Sequence, residues 1–255
     1  MRRRSFLSLA ALALPCFSQE AAKLPSGESI LDRYIEVTGG RAAYEKITSD
    51  LTTGRMEMPA QGIKASLKSM RAKPGSRSIV EIEGVGKMEE GSTGGVAWEK
   101  SVMTGARIKS GAEQAIALRT AALDREHNWR NYYTAAENQG VESIQGEDCY
   151  KILLTAKAGK PETRYYSKAS GLLVRMTMTM PNPMGEIPTE TTVSDYRDVS
   201  GIKMPFKTEM SVMGQKMNLT FESVKLNVEI PAEEFAMPAD IAALAAKPAE
   251  NKSPR

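Results

Sequence analysis

The sequence predicts a mainly β domain of the α+β class. We expect a single, strongly curved antiparallel sheet wrapped around an N-terminal helix and a mid-chain helical insert. A closed barrel is the alternative, since it would bury the apolar face without the helices. Apolar and polar residues alternate through residues 172–180 and again through 204–212, which is the period of a strand with one apolar face. Strand-like segments do not alternate with helical ones, and this disfavours a parallel sheet.

The first 18 residues have the features of a secretory signal peptide. Three arginines at 2–4 precede a short apolar segment at 6–14, and small residues allow cleavage after Ser18. The arginines suit either the Sec or the twin-arginine export route. Cys16 is a poor lipidation site, because Pro15 stands where a small residue is expected. We therefore expect an exported, periplasmic protein without a lipid anchor.

The secreted part of the chain is close to neutral. Of the 34 Lys and Arg residues, three lie in the signal peptide, which leaves 31 against 31 Asp and Glu. This balance argues against nucleic acid as a partner. Cys149 is the one cysteine left after cleavage and His127 is the one histidine, so the sequence predicts no disulfide, no metal site, no cofactor and no catalytic residues.

The order of predicted elements begins with a flexible mature N-terminus at 19–25. A helix is expected at 26–38, capped by Ser26, and a short one at 41–47. About six strands follow, marked by Pro and Gly turns. The alternation then stops, and a helical insert rich in Ala, Leu and Gln is expected at 111–133.

About seven more strands follow the insert and complete one domain at 26–238. The last four strands, at 171–228, contain eight of the 15 methionines. The composition of 239–255 predicts a disordered tail. No later apolar segment reaches the roughly 20 residues of a membrane-spanning helix, so we expect no stable membrane span.

Methionine is unbranched and adaptable, and it is over-used on surfaces that accept varied apolar shapes. The alternative is that these residues only fill the protein's own core. If the apolar face holds a ligand, its candidate lining is the alternating apolar set on these strands: Ile152, Leu154, Met176, Met178, Met180, Met204, Phe206, Met210, Leu219 and Phe221.

Two sequence motifs near the end of the chain resemble those of a known superfamily. Residues 194–206 (SDYRDVSGIKMPF) are similar to the Y-x-x-x-x-G-hydrophobic-K-x-P phrase of outer-membrane lipoprotein-sorting proteins, and 221–228 (FESVKLNV) to the phrase that follows it. The chain thus resembles the LolA-like superfamily over roughly residues 26–238 in the order of its elements. The resemblance implies a half-barrel sheet with helices as a lid, a role in carrying acyl chains through the periplasm, and no catalytic residues.

Three functional hypotheses follow. The first is a non-enzymatic, monomeric carrier of lipid or acylated protein in an apolar half-barrel cavity, gated by Tyr34 of the first helix and Trp129 of the insert. The second is a β-rich interaction or scaffold module of the cell envelope, with a self-filled core and a protein partner. The third is a hydrolase with a polar cleft around His127 or Asp195.

Overall fold

The structure is a computed structural model that describes residues 24–102, 104–182 and 185–246. The predicted signal peptide at 1–18 lies outside the described residues, as do most of the predicted flexible segment at 19–25 and the end of the chain from residue 247.

The described residues form four α-helices: α1 Gly27–Thr38, α2 Arg41–Tyr44, α3 Gly111–Ala121 and α4 Ala239–Ala245. Single turns of 3-10 helix occupy Pro59–Gln61, Trp129–Asn131 and Ala232–Phe235. The same part of the chain contains thirteen strands, against the about six and about seven that the sequence predicts: β1 Ser49–Met58, β2 Ile63–Ala72, β3 Gly75–Ile82, β4 Gly86–Thr93, β5 Val96–Ser101, β6 Gly105–Ile108, β7 Tyr133–Ile144, β8 Glu147–Ala156, β9 Glu162–Ser167, β10 Leu173–Asn182, β11 Gly185–Val199, β12 Ile202–Val212 and β13 Gln215–Leu226.

All thirteen strands belong to one antiparallel sheet, with the order β6-β5-β4-β3-β2-β1-β13-β12-β11-β10-β9-β8-β7. Within the described residues β6 and β7 are the two edges, so the sheet is a curved half-barrel and not a closed barrel. The predicted fold class is confirmed. Because β6 and β7 lie at opposite edges, the chain between them must cross the sheet, and α3 makes that crossing over the concave face.

Helix α1 begins where the sequence predicts. The Oγ atom of Ser26 accepts a hydrogen bond from the backbone N–H of Ser29 at 3.2 Å, which satisfies one of the free donors of the first turn. The buried stripe of the helix includes Ile30 and Tyr34. Gly39 ends the helix with φ 144°, and a Cβ there would lie 2.5 Å from the carbonyl oxygen of Gly201, so only glycine fits.

The C-terminal segment covers the opposite, convex face of the N-terminal strands. The 3-10 turn Ala232–Phe235 contacts β3 and β4, and α4 contacts β5 and β6. Four side chains in these strands and in the segment that covers them are at most 1% exposed: Met70, Trp98, Phe235 and Ile241.

Two sequence predictions of element boundaries are wrong. Residues 239–245 are not part of a disordered tail, because Ile241 anchors them as α4 on the sheet. The helical insert is shorter than 111–133, since α3 ends at Ala121, turns and one 3-10 turn follow, and β7 already begins at Tyr133.

Candidate functional site

Part of the predicted lining lies in a packed core beneath α1. Ile152 and Leu154 are 0% exposed and belong to one cluster with Tyr34 and Trp129. The Trp129 Nε1–H also donates to Asp32 Oδ1 at 3.3 Å, which ties the end of the insert to α1. These side chains form the interior of the protein, and the predicted gate residues are packed within it.

A buried ionic network holds the helical insert against the sheet. The Glu162 carboxylate accepts hydrogen bonds from Arg119 Nη2 at 2.9 Å and from the Tyr133 hydroxyl at 2.7 Å, and it pairs with Arg164 Nη2 at 2.8 Å. Arg164 also pairs with Glu126 of the insert at 3.4 Å. Because Arg119 lies on α3 and Glu162 on β9, this network fixes the position of α3 over the sheet.

A second ion pair, between Asp50 and Arg71, anchors the end of α3. Arg71 Nε donates to Asp50 Oδ2 at 2.6 Å, and its Nη1 donates to the carbonyl of Thr120 at 3.4 Å. Burial raises the pKa of Asp50 and lowers that of Arg71, so desolvation outweighs their attraction. At Glu162 the balance is reversed. Burial alone would raise the pKa of this carboxyl, but Arg164 and its other partners lower it.

Met176, Met210 and Met217 belong to a partly exposed row on the concave face. Met176 lies opposite Arg164, which is in the ionic network, so Met176 shares the face covered by the helices. The cross-strand register continues this row from Met176 through Thr191 and Met210 to Met217. Each of these methionines keeps part of its surface exposed.

A second apolar row runs beside the first. It contains Leu219 and the buried Met56 side by side, and the register extends it across six strands: Val193, Thr208, Leu219, Met56, Ala65 and Ile82. We call the two rows together the apolar band. The band combines flexible thioethers with aliphatic side chains, which together offer a deformable apolar surface.

Other predicted lining residues lie around this band. Met178 and Met180 follow Met176 on the same side of β10, with Met180 37% exposed. Phe221 lies opposite Gly54 in the neighbouring row, and Met204 packs against the core beneath α1. Phe206 is buried, and the Arg197 guanidinium stacks on its ring at 4.5 Å from the centroid.

A cavity of about 210 Å³ lies between α3 and the N-terminal strands. One wall is apolar and is formed by Ile116, Ala117 and Ala121 of α3 together with Met180 and Pro181 of β10. The other wall is polar and belongs to β2, β3, β4 and the segment after β6: Ser69, Arg71, Ser76, Ser78, Glu90, Ser92 and Lys109. A shallow depression of about 520 Å³ elsewhere is lined in part by Met178, Pro188 and Met213.

Nothing in the lining of this cavity matches the hydrolase hypothesis. His127 is buried against the ring of Tyr44 and lines neither depression. Asp195 pairs with Arg197 at 2.7 Å at a strand irregularity with φ 56°. Cys149 is 0% exposed, and burial raises the pKa of its thiol to about 11, so it is a poor nucleophile at neutral pH.

The described ranges also contain no group of three or more His, Cys, Asp or Glu side chains positioned to hold a metal ion. Among the same residues, none of the helices combines the length and apolarity needed to cross a bilayer.

Sequence reasoning missed the polar wall of the cavity. On β2 the concave side changes from Ala65 and Leu67 to Ser69 and Arg71 within one strand. A polar residue on a strand is typical of a solvent-facing side, so alternation alone did not mark these positions. The signal available in the sequence is that Met70, a large apolar residue, falls on the other side of the strand from Ser69 and Arg71.

Comparison with known proteins gives matches in structure only. No protein-family model matches the sequence, and no curated protein matches it. A LolA superfamily protein from Nitrosomonas europaea superposes with a TM-score of 0.56 at 15% identity, covering 84% of this chain and 99% of that one. A DUF1329 family protein from Desulfovibrio piger has a TM-score of 0.56 at 15% identity, covering 87% of this chain and 100% of that one.

A third solved structure is a putative outer membrane lipoprotein-sorting protein domain from Vibrio parahaemolyticus. It has a TM-score of 0.53 at 12% identity and covers 82% of this chain and 97% of its own. At such identities the likeness is one of fold. The resemblance that the closing sequence phrases predict is therefore confirmed at that level: the chain has the LolA-like fold.

Proposed function

We propose that this chain is an exported, non-enzymatic binder or carrier of a lipid acyl chain, seated on the apolar band of the concave face. The observation that carries the proposal is the row Met176, Met210 and Met217, which lies outside the packed core beneath α1 and stays partly exposed. A soluble protein gains little from leaving flexible apolar side chains in a concave surface unless they serve an interaction.

The energetics suit an acyl chain. Each buried methylene contributes about 0.8 kcal/mol, so about eight methylenes laid on the band would contribute roughly 6 kcal/mol before the entropic costs of binding. The cavity of about 210 Å³ is below the roughly 300–1,000 Å³ of sites that enclose a drug-sized ligand. A long chain would therefore lie partly in the cavity and partly along the open band.

Titration with an apolar fluorescent probe, followed by displacement with a fatty acid, tests this proposal. Leu219→Glu places a charge in the apolar band and is expected to weaken probe binding tenfold or more. Thr220→Glu is the matched control, because Thr220 is the next residue on β13, is exposed, and faces away from the band beside Arg55 and Lys207. Equal probe binding by both variants would contradict the proposal.

Two observations favour the second candidate, an interaction module of the cell envelope. The first is the modest cavity volume. The second is that apolar side chains are exposed at hairpin turns on one end of the half-barrel, where Val85, Val102 and Met213 are 54%, 64% and 76% exposed. Such patches are typical of protein or membrane contacts. A wild-type protein that binds no apolar probe, while its Val102→Ser and Met213→Ser variants lose a partner, would favour this candidate.

Export to the periplasm is part of the proposal and rests on the N-terminal sequence. Cell fractionation with mass analysis of the mature N-terminus tests it. The expected product begins at Gln19, and a cytoplasmic, unprocessed chain would contradict export.

A further inference from the structure

The polar wall of the cavity contains two hydroxyl groups without partners. Ser69 on β2 and Ser78 on β3 lie directly opposite each other in the register, and both line the cavity. Neither hydroxyl makes a hydrogen bond to any part of the chain that the structure describes, whereas the neighbouring Ser76 and Ser92 hydroxyls bond to each other at 2.9 Å. The serine pair therefore has free donors and acceptors facing the cavity.

The charged side chains of the cavity wall are already compensated. Lys109 Nζ pairs with Glu90 Oε2 at 2.8 Å, and Arg71 pairs with Asp50 at 2.6 Å. Two further lining residues have partners as well: Arg77 pairs with Glu89 and Glu113 with Arg107. A charged ligand group placed here would be desolvated without a free counter-charge, which costs several kcal/mol.

The opposite wall continues into the apolar band. Ile116 and Ala117 of α3 face the serine pair across the cavity, and Met180 lines the cavity from the side of β10. A ligand with a small polar head at the serines would direct its chain past Met180 toward Met176. The volume of about 210 Å³ is below the roughly 300–1,000 Å³ of sites that enclose a drug-sized ligand, so the cavity suits a polar head and the first part of a chain.

We propose that this cavity seats the uncharged ester or hydroxyl head of a single-chain amphiphile, a monoacylglycerol or a compound of that chemistry, with Ser69 and Ser78 as its hydrogen-bonding partners. This inference rests on the proposed function, since it names the ligand class of the same concave face. The serine pair gives the site a preference for an uncharged head group. The apolar band by itself has no such preference, because it contacts only the acyl chain.

The test compares three ligands with the same 12-carbon chain, each below its aggregation concentration: glycerol monolaurate, laurate and dodecyl phosphate. Displacement of an apolar fluorescent probe reports the affinity of each. Glycerol monolaurate is expected to bind the wild-type protein at least tenfold more tightly than either anion, with little dependence on salt. Equal or tighter binding of an anion would overturn the inference.

Serine variants test whether Ser69 and Ser78 cause the head-group preference. The double variant Ser69→Ala/Ser78→Ala is expected to lose tenfold or more in affinity for glycerol monolaurate while binding the apolar probe as before. Ser66→Ala is the matched control, because Ser66 is exposed on the other side of β2 and is expected to change nothing. A double variant that keeps the preference for the glyceride would overturn the assignment to the serine pair.

A failure of the proposed function can be distinguished from a failure of the head-group inference. If no apolar probe or amphiphile binds the wild-type protein, the proposed function fails and this inference fails with it. If all three ligands bind with equal affinity and Leu219→Glu weakens each of them, the proposed function stands and only the head-group inference is overturned. Since the wild-type preference is measured without any variant, a double variant that does not fold leaves the test decisive.

Discussion

Replacing Glu162 by glutamine should destabilise the protein more than any comparable surface change. Glu162 is 5% exposed and accepts from Arg119, Arg164 and the Tyr133 hydroxyl. Glutamine keeps the shape and one acceptor oxygen but removes the charge, which leaves two nearly buried guanidinium groups short of a counter-charge. Removing one partner of a buried ion pair costs about 3–5 kcal/mol, and the retained acceptor places Glu162→Gln near the lower end, at about 3 kcal/mol.

Urea unfolding at pH 7 measures this change directly as a free energy of unfolding. The control is Glu222→Gln, which removes the carboxylate that pairs with Arg55 at 2.8 Å, where the two side chains are 48% and 68% exposed. That exposed pair should contribute less than about 1 kcal/mol. Equal, small losses of stability in both variants would refute the view that the network around Glu162 holds the helical insert on the sheet.

Three further predictions concern stability. Truncation after Pro238 removes α4 and the buried Ile241, a loss of at least about 2 kcal/mol, so the midpoint of thermal unfolding should fall by roughly 4–8 °C, whereas truncation after Ala246 should leave it unchanged. Stability should fall as the pH drops below 4.5, the ordinary glutamate pKa. The pKa of Glu162 is lowered in the folded state, so its stabilisation is complete above pH 4.5 and is lost as the carboxylate is protonated. Urea unfolding between pH 3 and 7 checks this, and Glu162→Gln should flatten the pH dependence of the free energy of unfolding. Gly91→Ala should cost about 1–3 kcal/mol in urea unfolding, because its Cβ would lie 2.6 Å from the Trp98 ring and 2.7 Å from the Ser76 carbonyl oxygen, and an unchanged midpoint would contradict that packing.

Period-two alternation predicted the sheet, because apolar residues at every second position indicate strands with one apolar face. It also predicted α1, since Ser26 has the chemistry of an N-cap and Gly39 of a helix end. The first half of β7 was missed because residues 133–140 lack a regular apolar alternation. The sequence did not predict helix α4, because the composition of 239–255 is typical of a disordered tail. A single buried residue, Ile241, anchors this helix on the sheet, and one apolar side chain does not change the composition.

The candidate site was less accessible to sequence reasoning. Ile152 and Met176 have the same alternating pattern, yet Ile152 is buried beneath α1 and Met176 lies in the partly exposed row. Only the register of the strands and the path of the insert separate the two. Ser69 and Ser78 have no distinctive sequence signal either. They are candidate ligand-binding residues only because the strand register places them opposite each other in the cavity beneath α3. Long-range pairing of this kind is not encoded in local periodicity.

The central claim is that the concave face holds an acyl chain, and native mass spectrometry of the protein, purified without detergent, tests it most directly. The account predicts a population carrying one lipid-sized mass, which Thr220→Glu retains and Leu219→Glu loses. A protein that is ligand-free in every preparation, and that gains neither mass nor thermal stability when glycerol monolaurate or laurate is added, would contradict it.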